Sequence, residues 1–423
     1  MTTAPQATSA PESQAPRTQV PATGPTGRRY LQLVLVLGAL ISLGPLTIDM
    51  YLPAFPELSA ELNASASATQ LTLTGMLAGL AFGQLVIGPL SDAFGRRRPL
   101  LLGLATHAVA SVLAALAPTI VVLASVRVLQ GFAGAAISVV AMATVRDLFS
   151  GYAVARLMSR LMLVIGLAPI LAPTIGGALL EFTSWRGIFA VLAAAAVVLI
   201  GVAVLGLRET LPPERRRPAR PAATLATYRS LLRDRSFVAL VLMGGLMMSA
   251  MFAYVAGASF VLQDGYGLSE VSFGLVFGAN AAGLTVASQF NPMLIRRLGI
   301  LNVLTGAMLV GLAAAGVLVV VGLTGVGGLA AVLVPLGVVI ASVGLSLPNT
   351  PALALTRHGE AAGTAAAMLG AVQFGIGALI APLVGLFGSS TPVPMGAVMV
   401  TVTALAATLM FTVVRRDPTV GLD

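Results

Sequence analysis

The chain has 423 residues, of which 57% are hydrophobic and 9% charged, with a mean hydropathy of +0.96; soluble domains carry roughly 25% charged residues, so this composition excludes one and points to lipid as the solvent. The formal charge of +9 lies between hydrophobic runs, where anionic lipid head groups are the fitting partner and nucleic acid is not expected. There is no Cys, and His107 and His358 stand far apart in sequence, so disulfides, metal centres and cofactors are not expected.

The first 29 residues, rich in Pro, Ala, Thr, Ser and Gln, cannot bury enough surface to order themselves and are expected to form a disordered tail. A polar tail before a full-length span does not suit a signal peptide. Apolar runs of about 20 residues, enough to cross a hydrocarbon core, then fall near 31–52, 69–90, 99–117, 119–145, 158–180 and 187–207. A polar stretch at 208–235 follows as a cytoplasmic linker, with an amphipathic surface helix around 225–235. Six further runs lie near 237–262, 271–294, 300–323, 328–355, 363–388 and 393–414, before a short tail at 415–423. The reading is an all-α membrane protein of twelve spans in two six-helix bundles, 30–207 and 236–414.

Every basic residue is Arg, and all but Arg127 and Arg186 fall in the tails, the linker and alternate loops. Because loops rich in basic residues stay inside, both termini are expected in the cytoplasm of a multi-pass protein of a bacterial cytoplasmic membrane. The loop GPLSDAFGRRRPLL and the later PMLIRRLGILNVL align when Gly95 is matched to Gly299, an offset of 204 residues that puts Arg296 where Asp92 stands. This echo and the six-plus-six layout predict two similar halves with a binding site between them near the midplane.

Asp49 stands near the outer end of the first span, in LGPLTIDMYLP. A charged carboxylate there costs several kcal/mol in lipid. Arg127 is the cation that matches it: counting 1.5 Å per residue from the outer helix ends puts Arg127 about 13 Å deep and Asp49 about 10 Å deep. A fixed ion pair alone is a poor reason to bury both charges. The better reason is a carboxylate that alternates between charged and neutral and carries a proton, with Arg127 tuning its affinity.

In the loop after the second span, Gly88 and Gly95 allow close approach and a tight turn, Asp92 can accept hydrogen bonds at a helix N-terminus, and Arg96 anchors the inner face; Asp92, Arg96 and Arg146, beside Asp147, are expected to form a charge cluster that favours one conformational state. In the fifth span, Pro169 and Pro173 remove helical hydrogen bonds and Gly176 and Gly177 permit close packing, which suits either a bend that seals against the other half or generic packing. The glycine ladder Gly75, Gly79 and Gly83 in the second span reads as packing. The second half has few ionisable groups in its spans, so coupling belongs to the first half. Met247, Met251, Phe252 and Tyr254, with Asn280, Asn349 and Gln373 as polar points, are candidates for a permissive substrate pocket, although Met at these spacings also suits packing. Tyr51 and Gln130 complete the candidate substrate set.

With these residues placed, the chain resembles the Bcr/CflA group of drug-resistance transporters within the major facilitator superfamily. The resemblance rests on PLTIDMYLPAFP, GPLSDAFGRR, RVLQGFAGA, VRDLF, APILAPTIGG and ETLPPERR, and runs from about Tyr30 to Arg416. Ala168 and Ala172 stand at two glycine positions of the fifth-helix pattern of the superfamily's proton-driven antiporters, and the Ala172-Pro173 departure resembles a feature of this subgroup. The resemblance implies the superfamily fold and multidrug efflux by alternating access, in which chloramphenicol-like or bicyclomycin-like compounds leave as protons enter. A small-molecule substrate, protons and lipids are the expected partners of a monomer. Export of a cellular metabolite or self-made antibiotic is the alternative, and a non-transporting receptor a more distant one. No enzyme is expected, because no nucleophile-and-base or metal constellation appears in the spans, and there is no ATP-binding P-loop.

Overall fold

Backbone groups in lipid have no water to bond, so each spanning segment must satisfy its own N–H and C=O groups as a helix. The computed structural model describes residues 27–149, 152–216, 221–356, 358, 361–388, 390–418 and 420. Among them twelve helices are long and apolar enough to cross a membrane, and there is no strand. They are α1 Gly27–Asp49, α2 Ala66–Phe94, α3 Arg97–Ala115, α4 Ile120–Leu148, α5 Tyr152–Leu180 and α6 Trp185–Gly206, then α7 Arg235–Ser259, α8 Glu270–Leu298, α9 Ile300–Thr324, α10 Gly328–Thr356, α11 Ala362–Ile380 and α12 Pro392–Thr412. The N-terminal tail lies outside the described residues except for Gly27, Arg28 and Arg29, which already belong to α1.

The two halves repeat in detail. Ser65 caps α2 by accepting from the Ala68 amide, and Ser269 caps α8 by accepting from the Ser272 amide. Gly95 and Gly299 end the same two helices at φ of +87° and +79°, a backbone region that glycine enters without penalty. These four positions keep the 204-residue offset seen in the sequence. The duplication therefore survives in helix caps after most of the side-chain identity has gone.

The linker differs from its expected form. Its surface helix runs Pro221–Leu231, and Asp234 instead caps α7 by accepting from the Ser236 and Phe237 amides. An acceptor side chain at a helix start satisfies amides that have no partner within the helix, which ends the surface helix early. Tyr228 on this helix donates to the Leu85 carbonyl of α2 at 3.4 Å. That carbonyl is available because the residue four positions on is Pro89, which has no N–H to offer. Arg186, the outer arginine left unexplained by charge topology, donates to the Ala115 and Ala117 carbonyls at the end of α3 and pairs with Glu61 at 2.9 Å.

Between the halves, α5 packs on α8 and α2 on α11. Glycines set both distances. A Cβ on Gly177 would meet the Glu270 carbonyl and Val271 amide of α8, and one on Gly274 would meet the Pro173 carbonyl of α5. Hydrogen bonds close the outer ends: Gln70 donates to the Ala256 carbonyl at 3.0 Å and accepts from the Gly385 amide at 2.9 Å. Thr74 donates to the Ala378 carbonyl at 3.1 Å, and Gln263 to the Pro53 carbonyl at 3.0 Å. The arrangement is thus sealed toward the outer side, opposite the Arg-rich ends.

Candidate functional site

Asp49 is the last residue of α1, where the chain leaves the helix for a tight 3-10 turn at Leu52–Ala54 that contains Pro53. It is 6% exposed. Its carboxylate makes no hydrogen bond or ion pair among the described residues, and it lies within electrostatic range of the Tyr254 hydroxyl on α7 of the other half. Tyr254 in turn accepts from Asn280 at 3.1 Å and stacks on Phe277 at 4.8 Å.

Arg127 is fully buried on α4, and its surroundings follow from small residues. Cβ atoms on Gly75 and Gly79 of α2 would strike the Ala124 and Val128 carbonyls of α4, and one on Gly131 would strike the Met76 carbonyl of α2. The ladder read as packing therefore does more: it presses two backbones together until Arg127 Nε reaches the Thr72 carbonyl at 3.4 Å. Nη1 donates to the Thr47 carbonyl at 3.1 Å and to Gln130 Oε1 at 2.6 Å, while Nη2 has no hydrogen-bond partner among the described residues. The guanidinium lies 4.3 Å from the Tyr51 ring centroid and 5.7 Å from that of Phe189, a cation–π arrangement. The anticipated ion pair between Asp49 and Arg127 is absent. Matching depth brought the residues to one level, but backbone carbonyls, an amide and two rings take the guanidinium.

Tyr51 and Gln130 consequently belong to the shell of Arg127 rather than to a substrate surface. The Tyr51 hydroxyl contacts Thr72 Oγ1 at 3.2 Å, and Gln130 donates to Ser111 Oγ at 2.7 Å. Sequence reading missed His107, which is 1% exposed and 2.9 Å from Thr47 Oγ1. A histidine in an apolar span was the available signal. It also missed Gln70 and Gln263 of the outer seal, each an amide near the outer end of a hydrophobic run.

At the inner end, Arg96 joins Asp92 at 2.6 Å, Asp147 at 2.8 Å and Ser91 Oγ at 2.7 Å. Burial acts against the charged guanidinium of Arg96, but Asp147 and Asp92 outweigh it and hold its proton more firmly than usual. Arg146 points away and is exposed, so Asp147 takes the place expected for it. On a helix, adjacent residues lie about 100° apart, and only one of the two can face the loop. Gly88 has nothing within 4 Å of where its Cβ would be, whereas one on Gly95 would press on the Glu209 carboxylate; close approach is required at Gly95 alone. Glu209, at the start of the linker, accepts from the Arg96 and Arg97 amides at 2.8 and 3.2 Å and from Thr210 and Leu211. Burial pushes its carboxyl up, but the Leu211, Arg96 and Arg97 amides and the Arg216 guanidinium prevail and hold it below the usual range. The cluster lies within the first half and the linker.

In α5, Gly176 faces the Met50 carbonyl next to Asp49 and Gly177 faces α8; Pro169 and Pro173 lie inside the helix. The pocket candidates divide. Asn349 exchanges hydrogen bonds with Asn291 at 2.8 and 2.9 Å, so its amide clamps α10 to α8 and is not free for a ligand. Met247 is buried, and Phe252 packs on Phe374 at 6.1 Å and against Gly377. Met251 and Gln373 are half-buried, and Gln373 has no hydrogen bond among the described residues. A cavity of about 650 Å³ lies elsewhere, between α9, α11 and α12, lined by Leu323, Ile380, Phe387 and Val398 among others; none of the candidate residues lines it.

Residues 35–382 match the family model of the Major Facilitator Superfamily. The chain is 42% identical over 92% of its length, and 96% of the relative's, to the MFS-type transporter YdgK of Bacillus subtilis strain 168. It is 31% identical to the bicyclomycin resistance protein homolog of Haemophilus influenzae, over 86% and 91% of the two chains. In fold it is similar to a bacterial homolog of the human lysosomal transporter Spinster in an inward-facing, unoccupied conformation, with a TM-score of 0.71 at 14% identity over 92% and 97% of the chains. A match over most of the chain, relatives aligned over nearly their whole length and a shared fold lead to one conclusion: the protein belongs to the Major Facilitator Superfamily, as a multi-pass transporter of the cytoplasmic membrane.

Proposed function

We propose that this transporter exports drug-like small molecules in exchange for protons, with Asp49 as the proton carrier. The observation that carries the reading is the isolation of Asp49: a buried carboxylate without a counter-ion among the described residues, while the nearby arginine is occupied by the Thr47 and Thr72 carbonyls and Gln130. An acid placed this way is costly to keep charged, and alternation between neutral and charged forms gives it a use. Its electrostatic link to Tyr254 supports a position between the halves, where each half can influence it.

In the cycle, Asp49 takes a proton when the outer side is open. The halves then rock to the outward-closed arrangement, the proton leaves toward the cytoplasm, and substrate enters against Tyr254, Asn280, Met251 and Gln373. Binding of substrate competes with reprotonation until the halves rock back. The bicyclomycin resistance relative supports drug-like compounds as substrates of this chain.

The test is proton release from purified protein in weakly buffered detergent on adding chloramphenicol or bicyclomycin. Release that disappears in Asp49→Asn is the expected result. Undiminished, drug-triggered release from Asp49→Asn, or drug transport that still follows a proton gradient in that variant, would remove Asp49 from the mechanism.

A further inference from the structure

His107 takes no part in the cycle above, yet its surroundings are built. Nε2 lies 2.9 Å from Thr47 Oγ1. The Thr47 hydroxyl donates to the Leu43 carbonyl at 2.6 Å, and a hydroxyl has one proton to give, so toward His107 it accepts. Nε2 therefore carries the hydrogen. On the other side, Ser111 donates to the His107 carbonyl at 2.8 Å and accepts from Gln130 at 2.7 Å, leaving Nδ1 at 3.4 Å from a hydroxyl whose proton is committed. Gln130 accepts from Arg127 Nη1 at 2.6 Å, and the same Nη1 donates to the Thr47 carbonyl at 3.1 Å.

These contacts close a ring through three helices: Thr47 on α1, His107 and Ser111 on α3, and Gln130 and Arg127 on α4. With the imidazole neutral and hydrogen on Nε2, donors face acceptors at each of these contacts except the 3.4 Å approach of Nδ1 to Ser111 Oγ, which carries no hydrogen bond; Ser111 joins the ring through the His107 carbonyl. Among the described residues the charged group that acts on the imidazole is Arg127 on α4; Asp49, at the end of α1, and Tyr51, in the turn beyond it, follow Thr47 at two and four positions, and a second imidazole proton would place two cations together.

We propose that His107 is a positioning residue for proton exchange at Asp49: its Nε2–H holds Thr47, and the ring keeps Arg127 on the α1 backbone and away from the Asp49 carboxylate. This rests on the reading of Asp49 as proton carrier. Arg127 already has one nitrogen without a hydrogen bond among the described residues. Freed from Gln130 and the Thr47 carbonyl, the guanidinium would find in Asp49 an uncompensated anion on an adjoining helix. An opposite charge within a few ångströms favours the charged form of a carboxylate, so loss of His107 makes the site release its proton more readily.

The experiment is a difference proton titration of the purified full chain in detergent, each background measured with and without Asp49→Asn, which needs no substrate. The wild-type difference is expected to show a one-proton step. In His107→Leu the step moves to lower pH by about one unit or more, tenfold or more in proton affinity. His107→Gln, whose amide supplies a donor near Nε2, keeps the wild-type midpoint. Ser111→Ala, a mild change that opens the same ring, shifts it in the direction of His107→Leu and decides the matter if that variant does not fold. An unchanged midpoint in His107→Leu and Ser111→Ala overturns the positioning role. A wild-type difference with no step overturns the Asp49 reading itself, and is distinguishable because it appears before any change at His107.

Discussion

Replacing Gly177 with Ala tests whether the outer seal between the halves is set by backbone contact. The added Cβ would lie 2.5 Å from the Glu270 carbonyl oxygen, 2.8 Å from its carbon and 3.1 Å from the Val271 amide nitrogen. All three are backbone atoms in the first turn of α8, so no side-chain rotation relieves the clash and α8 must move away from α5. Overpacking of this kind costs about 1–3 kcal/mol. The cost falls on the outward-closed arrangement, in which α5 and α8 meet, and disappears once their outer ends part. The outward-open population should therefore rise by roughly 5- to 150-fold. Gly176→Ala is the control: its Cβ strikes the Met50 carbonyl, a contact within the first half that persists when the halves rock, so the variant loses stability without a shift in conformation. The chain has no Cys, and a single Ala81→Cys, on α2 facing Gly375 below the seal, reports opening through its rate of labelling in cells by a membrane-impermeant maleimide. Labelling at the wild-type rate in Gly177→Ala, or equal acceleration by Gly176→Ala, would refute the reasoning.

Glu209 gives a pH-dependent prediction. Its carboxyl is held below the usual range, so the stabilisation it provides is present above the unfolded-state value of about 4.3 and is lost as pH falls through the lower folded value. Glu209→Gln is expected to cost about 1 kcal/mol at pH 7, modest because the group is largely solvent-exposed, and to converge on wild type in thermal scans as pH falls through the lowered folded value; a difference that stays constant with falling pH would contradict this. Tyr228→Phe should remove about 0.5 kcal/mol by deleting the bond to the Leu85 carbonyl. Combined with Pro89→Ala, which gives that carbonyl a helical partner, the loss should shrink, and a double-mutant cycle with no coupling would show that Tyr228 does not serve the freed carbonyl.

Much of this protein is legible in its sequence because lipid makes the requirements local. Length and apolarity alone mark a span, and a span must be helical, so the twelve helices and the division at the linker follow from hydropathy. Arginine placement orders the two faces, and Gly95 and Gly299 mark the repeat in the sequence, to which the structure adds the Ser65 and Ser269 caps at the same offset. Depth was readable too, by counting residues from the helix ends, which is why Asp49 and Arg127 were brought to one level. What lies beside a residue at that level was not readable, since it depends on helix rotation and on how closely neighbouring backbones approach. Rotation decided for Asp147 over Arg146. Glycine contacts between α2 and α4 brought the Thr72 carbonyl to Arg127, and the neighbouring α1 supplied that of Thr47, partners that no side-chain pattern announces. The same is true of the Asn291 and Asn349 clamp and of Gln70 bridging the halves. Sequence alone determined the helices, their order and their charged ends; only the packed structure decided that Asp49 stands without its arginine, because the competing acceptors are carbonyls that become available when helices touch.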